Sequence, residues 1–297
     1  MSQLCHENTL RAHPTRPECG HNVSVIPIDD AADPRLADYM GLTDRDIARR
    51  HESERILIAE GPEVVRRLVA SDLVIRSIVV SPNRLDDMSI ALASVSCPVY
   101  VAERPIISQV AGFDLHRGVV ASAERPRTVS LDDVWRRPPS NGRDHLLAVL
   151  EGLNDHENLG AIARSARAFG VDALVLDATC ADPYYRRTVR VSMGEVLFLP
   201  IVRTDVASVV RSVREHGGTT IALTPRRDAT LLDDIDTEGP TALVLGSEGY
   251  GLPETTLAAV DMCARIDISP DVDSLNVGHA AAAAFALRRR RSNRHRE

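Results

Sequence analysis

Three stretches in the second half of the chain combine polar side chains with small or glycine residues in patterns that suit a ligand site. The first is Asn154-Asp155-His156-Glu157-Asn158-Leu159-Gly160, running on to Arg164 and to Ala168-Phe169-Gly170. It lies where an apolar strand gives way to an amphipathic helix, the usual place for a site in an open parallel sheet. Asn158 brings an amide, and Arg164 a planar guanidinium fork suited to phosphate. Read alone, Asn158 is equally a helix N-cap and Arg164 a surface residue. The second stretch, Leu245-Gly246-Ser247-Glu248-Gly249-Tyr250-Gly251-Leu252-Pro253, runs from a strand into a glycine-rich loop. Glycines there let a backbone approach a ligand closely or adopt positive φ. The third, Ile266-Asp267-Ile268-Ser269-Pro270-Asp271-Val272-Asp273-Ser274-Leu275-Asn276-Val277-Gly278-His279, leads through a polar loop into an alanine-rich helix that Asp273 or Ser274 is expected to cap.

These stretches need a scaffold, and the chain alternates strands with helices on either side of a Pro-rich interruption. Strands at Ile56–Glu60, 75–81, 98–101 and 119–120 alternate with helices at 63–70, 85–94 and 106–111, making a small α/β unit over residues 46–125. Residues 126–143 read as a linker holding Trp135, which is expected to pack onto one of the units. Over 144–291 the expected strands are 145–151, 173–177, 196–202, 220–223, 242–245 and 264–268. The helices between them cover 158–169, 183–193, 206–216, 253–260 and 274–290. Such alternation implies a parallel sheet covered on both faces. Residues 1–45 lack sustained periodicity, apart from a short strand at 23–28 and a helical turn at 33–39, and residues 292–297 form a basic tail.

The 297-residue chain is 44% hydrophobic and 26% charged, an ordinary balance for a globular protein of two units. No apolar run reaches bilayer length, and the opening residues lack a charged-then-apolar leader, so a cytoplasmic location is expected. Five scattered cysteines fit reduced thiols. Cys5, His6, His13, Cys19 and His21 cluster but match no standard zinc spacing, so no metal is expected. The net charge of -7 argues against nonspecific coating of nucleic acid while leaving room for a local basic patch. All 35 basic residues are arginine, which removes Schiff-base chemistry and the lysine-dependent phosphate loop. The run Arg288, Arg289, Arg290, Arg291, Arg294 and Arg296 suits phosphate contacts, and equally a solvated helix end.

In this order and spacing the three stretches are similar to motifs 1, 2 and 3 of the SpoU (TrmH) family of RNA 2'-O-ribose methyltransferases, over about residues 145–291. Residues 46–125 resemble, more weakly, that family's L30e-like RNA-binding domain. The resemblance implies an α/β fold with a trefoil-knotted parallel sheet (SPOUT), a homodimer with composite sites, and S-adenosylmethionine as methyl donor. It implies structured RNA as substrate, ribosomal or transfer RNA, with the L30e-like unit favouring ribosomal RNA. Thr224, Gly246, Ile266, Leu275 and Asn276 should hold the cofactor, and Asn158, Arg164, Glu248, Ser274 and Asn276 should surround the reacting ribose. His156 and Asp267 stand where the family usually has proline, and Gly278-His279 where serine is common.

Two other function classes remain. A nonenzymatic RNA-binding or ribosome-assembly factor would share the fold without turnover, but the polar set is intact. A nicotinamide-dependent oxidoreductase would need G-x-G-x-x-G after the first strand and an acidic residue beyond it, and both are missing.

Overall fold

A computed structural model describes residues 25–43, 45–140, 142 and 144–294, with the side chains of 45, 46, 48 and 290–294 left aside. The Cys5–Cys19 cluster, His21 and Arg296 lie outside the described residues.

Two sheets organise the chain. The N-terminal sheet contains β1 (Val25–Ile28), β2 (Ile56–Glu60), β3 (Ile75–Val80), β4 (Val99–Ala102) and β5 (Val119–Glu124) in the order β1-β4-β3-β5-β2. Strands β1, β4 and β3 run parallel, while β5 is antiparallel to both β3 and β2. Four helices accompany it: α1 (Arg45–Ser53), α2 (Pro62–Val69), α3 (Leu85–Leu92) and α4 (Arg104–Ala111). The strand at β1 and the helical turn Pro34–Tyr39, read from sequence as isolated features, belong to this unit: Ile28, Leu36 and Tyr39 are buried in its core. Helix α1 was not expected, because RDIARRHES carries no apolar stripe.

The C-terminal sheet is parallel throughout. Its strands are β6 (Leu146–Leu150), β7 (Ala173–Leu176), β8 (Ile201–Arg203), β9 (Thr219–Leu223), β10 (Thr230–Leu231), β11 (Thr241–Leu245) and β12 (Met262–Arg265). They lie in the order β10-β12-β9-β11-β6-β7-β8. Strands β6, β7 and β11 are buried along their whole length, as unbroken apolar runs covered on both faces should be. Chain order turns back between β6 and β11: β7 and β8 extend one way, β11, β9 and β12 the other. This is a topological switch point, where parallel sheets open a crevice at their carboxyl ends. Registers align those ends, since Leu245 pairs with Leu150 and Ala264 with Leu223.

The helices here are α5 (Leu131–Trp135), α6 (His156–Phe169), α7 (Arg186–Val191), α8 (Val206–Glu215), α9 (Glu254–Ala259) and α10 (Val277–Arg294). Leu159, Ile162, Ala163 and Ala166 give α6 its buried face, and α10 packs along α6 through Ala281, Ala284 and Phe285. The strand expected at 196–202 is split. Gly194 at φ 82° starts a 3-10 turn over Glu195–Phe198, and the strand proper follows Pro200. The strand expected at 264–268 sits earlier, at β12.

The two units are docked through charge as well as apolar packing. Glu60 at the end of β2 is buried and accepts from Arg186 Nη1 at 3.2 Å and Arg190 Nη1 at 3.4 Å, both on α7. Arg125 donates to Asp182 at 2.7 Å with its side chain only 8% exposed. The segment between the units is partly structured: Ser130 caps α5 in a reciprocal capping box with Asp133. Trp135 stacks on His216 at 4.6 Å and donates to Ser212 on α8 at 2.8 Å, so it packs on the C-terminal unit. Among the described residues no helix is long and apolar enough to cross a membrane.

Candidate active site

The carboxyl ends of β9, β11 and β12 meet the loop before α10 around a cleft of about 350 Å³. Seven of the residues singled out from sequence line it: Thr224, Gly246, Glu248, Ile266, Ser274, Leu275 and Asn276. Leu223, Pro225 and Ala280 on the same walls were not singled out from sequence, and Leu245, Ser247 and Ile268, which stand in the second and third stretches, were given no role there. Their signal was position, since several directly continue the strands that carry the motifs.

Backbone geometry shapes the walls. Thr224 N donates to Ala264 O at 2.9 Å, tying the end of β9 to β12, and Glu151 N donates to Leu245 O at 3.0 Å, tying β6 to β11. A Cβ on Gly246 would stand 2.3 to 2.5 Å from the backbone of Gly251 and Leu252. Gly246 therefore serves first to let the Ser247–Gly251 turn fold back on its own strand, where Gly251 N donates to Ser247 O at 3.1 Å. Leu275 remains 41% exposed, an apolar side chain on the cleft wall with no protein core around it.

At the mouth three motifs converge on one amide. Asn276 Nδ2 donates to Asn158 Oδ1 at 2.9 Å and to Glu248 Oε1 at 2.6 Å. Its Oδ1 accepts from Gly278 N at 2.9 Å and His279 N at 3.3 Å, which makes Asn276 the N-cap of α10. The cap expected at Asp273 or Ser274 is thus displaced, leaving the exposed Ser274 side chain on the cleft wall. Gly278 fits this arrangement: a Cβ there would lie 3.2 Å from Asn276 Oδ1 and 3.3 Å from Ala161 on α6.

Asn158 is also not a cap. Asp155 takes that place, accepting from Glu157 N at 2.9 Å and Asn158 N at 2.8 Å, so α6 begins at His156. A proline would fit that first helical position, and histidine fits it too while packing its ring 4.5 Å from Tyr185. Burial lowers the His156 pKa from the ordinary value, keeping the imidazole neutral. Next to this loop, burial opposes charge on Asp177. Hydrogen bonds from Cys180, Thr179 and Gly152 N outweigh it and hold the carboxyl below its ordinary value. Burial pushes the Cys180 thiol up to about 12, which makes it a packing group and not a nucleophile.

Arg164 stands apart from this cluster. It is exposed on α6 and has no hydrogen bond or ion pair among the described residues. Six residues beyond Asn158, it is turned roughly 120° away and about 9 Å along the helix. Among the described residues no basic side chain lines the cleft. Arg288 and Arg289, grouped from sequence with the basic chain end, are engaged internally: Arg288 donates to Ile235 O at 3.1 Å and Arg289 to Ala168 O at 2.8 Å.

Comparison with known proteins places this geometry. Residues 145–286 match the model of the SpoU rRNA methylase family. A Mycobacterium bovis protein named as an uncharacterized tRNA/rRNA methyltransferase is 39% identical over 280 residues, covering 92% of this chain and 94% of that one. The 23S rRNA (guanosine-2'-O-)-methyltransferase RlmB of Ralstonia nicotianae is 30% identical over 215 residues, 70% of this chain and 84% of that one. The structure of an AdoMet-bound rRNA methyltransferase from Sinorhizobium meliloti superposes with a TM-score of 0.75 at 25% identity, covering 90% of this chain and 98% of that one.

Proposed function

This chain belongs to the SpoU rRNA methylase family, and we propose that it methylates a ribose 2'-hydroxyl of ribosomal RNA with S-adenosylmethionine as donor. The observation that carries this reading is the convergence of Asn158, Glu248 and Asn276 at the mouth of a cleft built from three strand ends. The cleft fits the cofactor: Leu223, Leu245, Ile266 and Leu275 offer apolar walls to an adenosyl group, and the strand ends offer backbone amides and carbonyls. Bound S-adenosylmethionine supplies an electrophilic methyl group on a sulfonium.

The chain's own residues position the ribose. Asn158, held through Asn276, is aimed by α6, and Glu248 fixes the Asn276 amide in one orientation. Ser274 and Glu248 are polar groups from which the hydroxyl proton can pass to water. Arg164 is no base, because a guanidinium keeps its proton above about pH 12. It orients a phosphate and stabilises the developing alkoxide. Its exposure and, among the described residues, its lack of a partner and the absence of a basic lining residue support its entry into the cleft of a second copy, in a homodimer. The N-terminal unit, which takes in β1 and the Pro34–Tyr39 turn along with residues 46–125, acts as an L30e-like RNA-binding unit, and the protein works in the cytoplasm.

The test is to incubate the protein with methyl-labelled S-adenosylmethionine and ribosomal RNA from a strain lacking the gene. Label in alkali-resistant dinucleotides is expected. Label on a base, or none on RNA, overturns the reading.

A further inference from the structure

The chain has one Trp, five Tyr and four Phe. Nine of these rings are buried or half-buried, whereas Tyr250 is 97% exposed. It stands at the apex of the Ser247–Gly251 turn, whose Ser247, Glu248, Gly249 and Gly251 line the cleft. The turn is a closed one. Gly249 at φ 89° and Gly251 at φ 67° take conformations that side chains resist, and Gly246 lets the turn fold against β11. Glu248, two residues before it, is tied to Asn276. A large ring is therefore held in water on a shaped loop, two residues from the polar cluster that would meet the ribose. Packing among the described residues gives it no reason to be there.

We propose that Tyr250 is a stacking platform for a nucleobase of the RNA, at or beside the nucleotide that is methylated. This rests on the methyltransferase reading above. Reaching a 2'-hydroxyl in a cleft requires a nucleotide splayed from its helix, and an unstacked base regains its stacking on an aromatic face. The surface is sequence-tolerant, because every base presents a π-face.

The test compares wild type with Tyr250→Ala and Tyr250→Phe, using deproteinised 23S rRNA as substrate and fluorescently labelled rRNA fragments for direct binding. The alanine variant is expected to raise KM and weaken RNA binding by about 5- to 100-fold. Its affinity for S-adenosylmethionine, its melting temperature and its mass by light scattering should stay unchanged. Phenylalanine should restore RNA binding to within about twofold, since the ring and not the hydroxyl stacks. Unchanged RNA binding in Tyr250→Ala overturns the proposal, as does a loss confined to cofactor affinity or to the dimer. A phenylalanine variant as weak as alanine overturns it too. If wild type methylates RNA and Tyr250→Ala matches it, only the platform falls; if wild type methylates no RNA, the function falls and the platform with it.

Discussion

Asn276 Nδ2 donates to Glu248 Oε1 at 2.6 Å while Asn276 Oδ1 caps α10, so a single side chain joins the glycine-rich loop to the start of the last helix. Both ends of the amide are occupied, which fixes which atom is nitrogen and makes Asn158 Oδ1 the acceptor of its second N–H.

That geometry separates the helix cap from the site. Asn276→Asp keeps a capping oxygen as good as the original. It also sets a carboxylate against Glu248 and removes the donor to Asn158. Both groups are exposed in the free chain, so the melting temperature should change little. Methyl transfer should fall by about tenfold or more near pH 8. The deficit should narrow as the pH drops, because one of two adjacent carboxyls takes up a proton more readily than an isolated one. A variant-to-wild-type rate ratio flat from pH 6 to 8 would count against the contact.

Gly246→Ala tests the turn. With a Cβ only 2.3 Å from Gly251 C, the loop must shift off β11 or the strand must move. Overpacking of this kind is worth about 1–3 kcal/mol. Calorimetry should show S-adenosylmethionine affinity reduced at least about tenfold, with a melting temperature lower by several degrees. Unaltered affinity would mean that the turn does not shape the cleft.

Much of this was legible in the sequence. Strands β6 and β11 announced themselves as LLAVL and TALVL, runs that only a doubly covered parallel sheet buries whole. The seven lining residues came from the family resemblance: six stand in the second and third stretches, which follow β11 and β12, and Thr224 follows β9. Capping was misread at both helices for one reason: local propensity ranks Asn, Asp and Ser almost equally. The choice among them is made by tertiary contacts, Asp155 freeing Asn158 to meet Asn276. Helix α1 was invisible because its buried residues include His51, which no apolar pattern counts. The apolar residues at 196–197 looked like strand until Gly194 and Pro200 imposed a turn.

Arg164→Ala should leave the fold and cofactor affinity intact, since Arg164 is exposed and makes no hydrogen bond or ion pair among the described residues. Methyl transfer should nevertheless drop by about 100-fold, the usual scale for losing one electrostatic stabiliser. If the cleft draws Arg164 from a second copy, mixing this variant with Asn276→Ala restores one complete site per mixed dimer. Random reassortment then returns roughly a quarter of wild-type turnover. No recovery on mixing, with exchange verified by mass spectrometry of tagged subunits, would place Arg164 in its own subunit's site.

The junction between the units gives a pH dependence. His51 on α1 is 6% exposed, its Nε2 is buried with no hydrogen-bond partner among the described residues, and Arg125, Tyr184, Tyr185 and Arg186 share the small cavity beside it. Burial first, then Arg50, depress its pKa below the ordinary 6.5; Asp38 pulls the other way, Arg125 adds a smaller depression, and Glu54 opposes least. A depressed folded-state value means that the unfolded chain binds the proton better. The neutral ring's contribution is therefore complete above about pH 6.5 and is lost as pH falls toward the folded value. His156 is shifted the same way and adds to the slope. Asp38, Asp177 and Asp261 are held below the usual carboxylate value of 3.8, so their contributions survive to lower pH and leave the window between about 6.5 and 5 to the histidines. Urea titrations across that window should show wild type losing stability on acidification and His51→Gln losing less. The difference is bounded by one proton, about 1.4 kcal/mol per pH unit. Parallel stability curves for the two proteins would show that His51 is not protonated on unfolding.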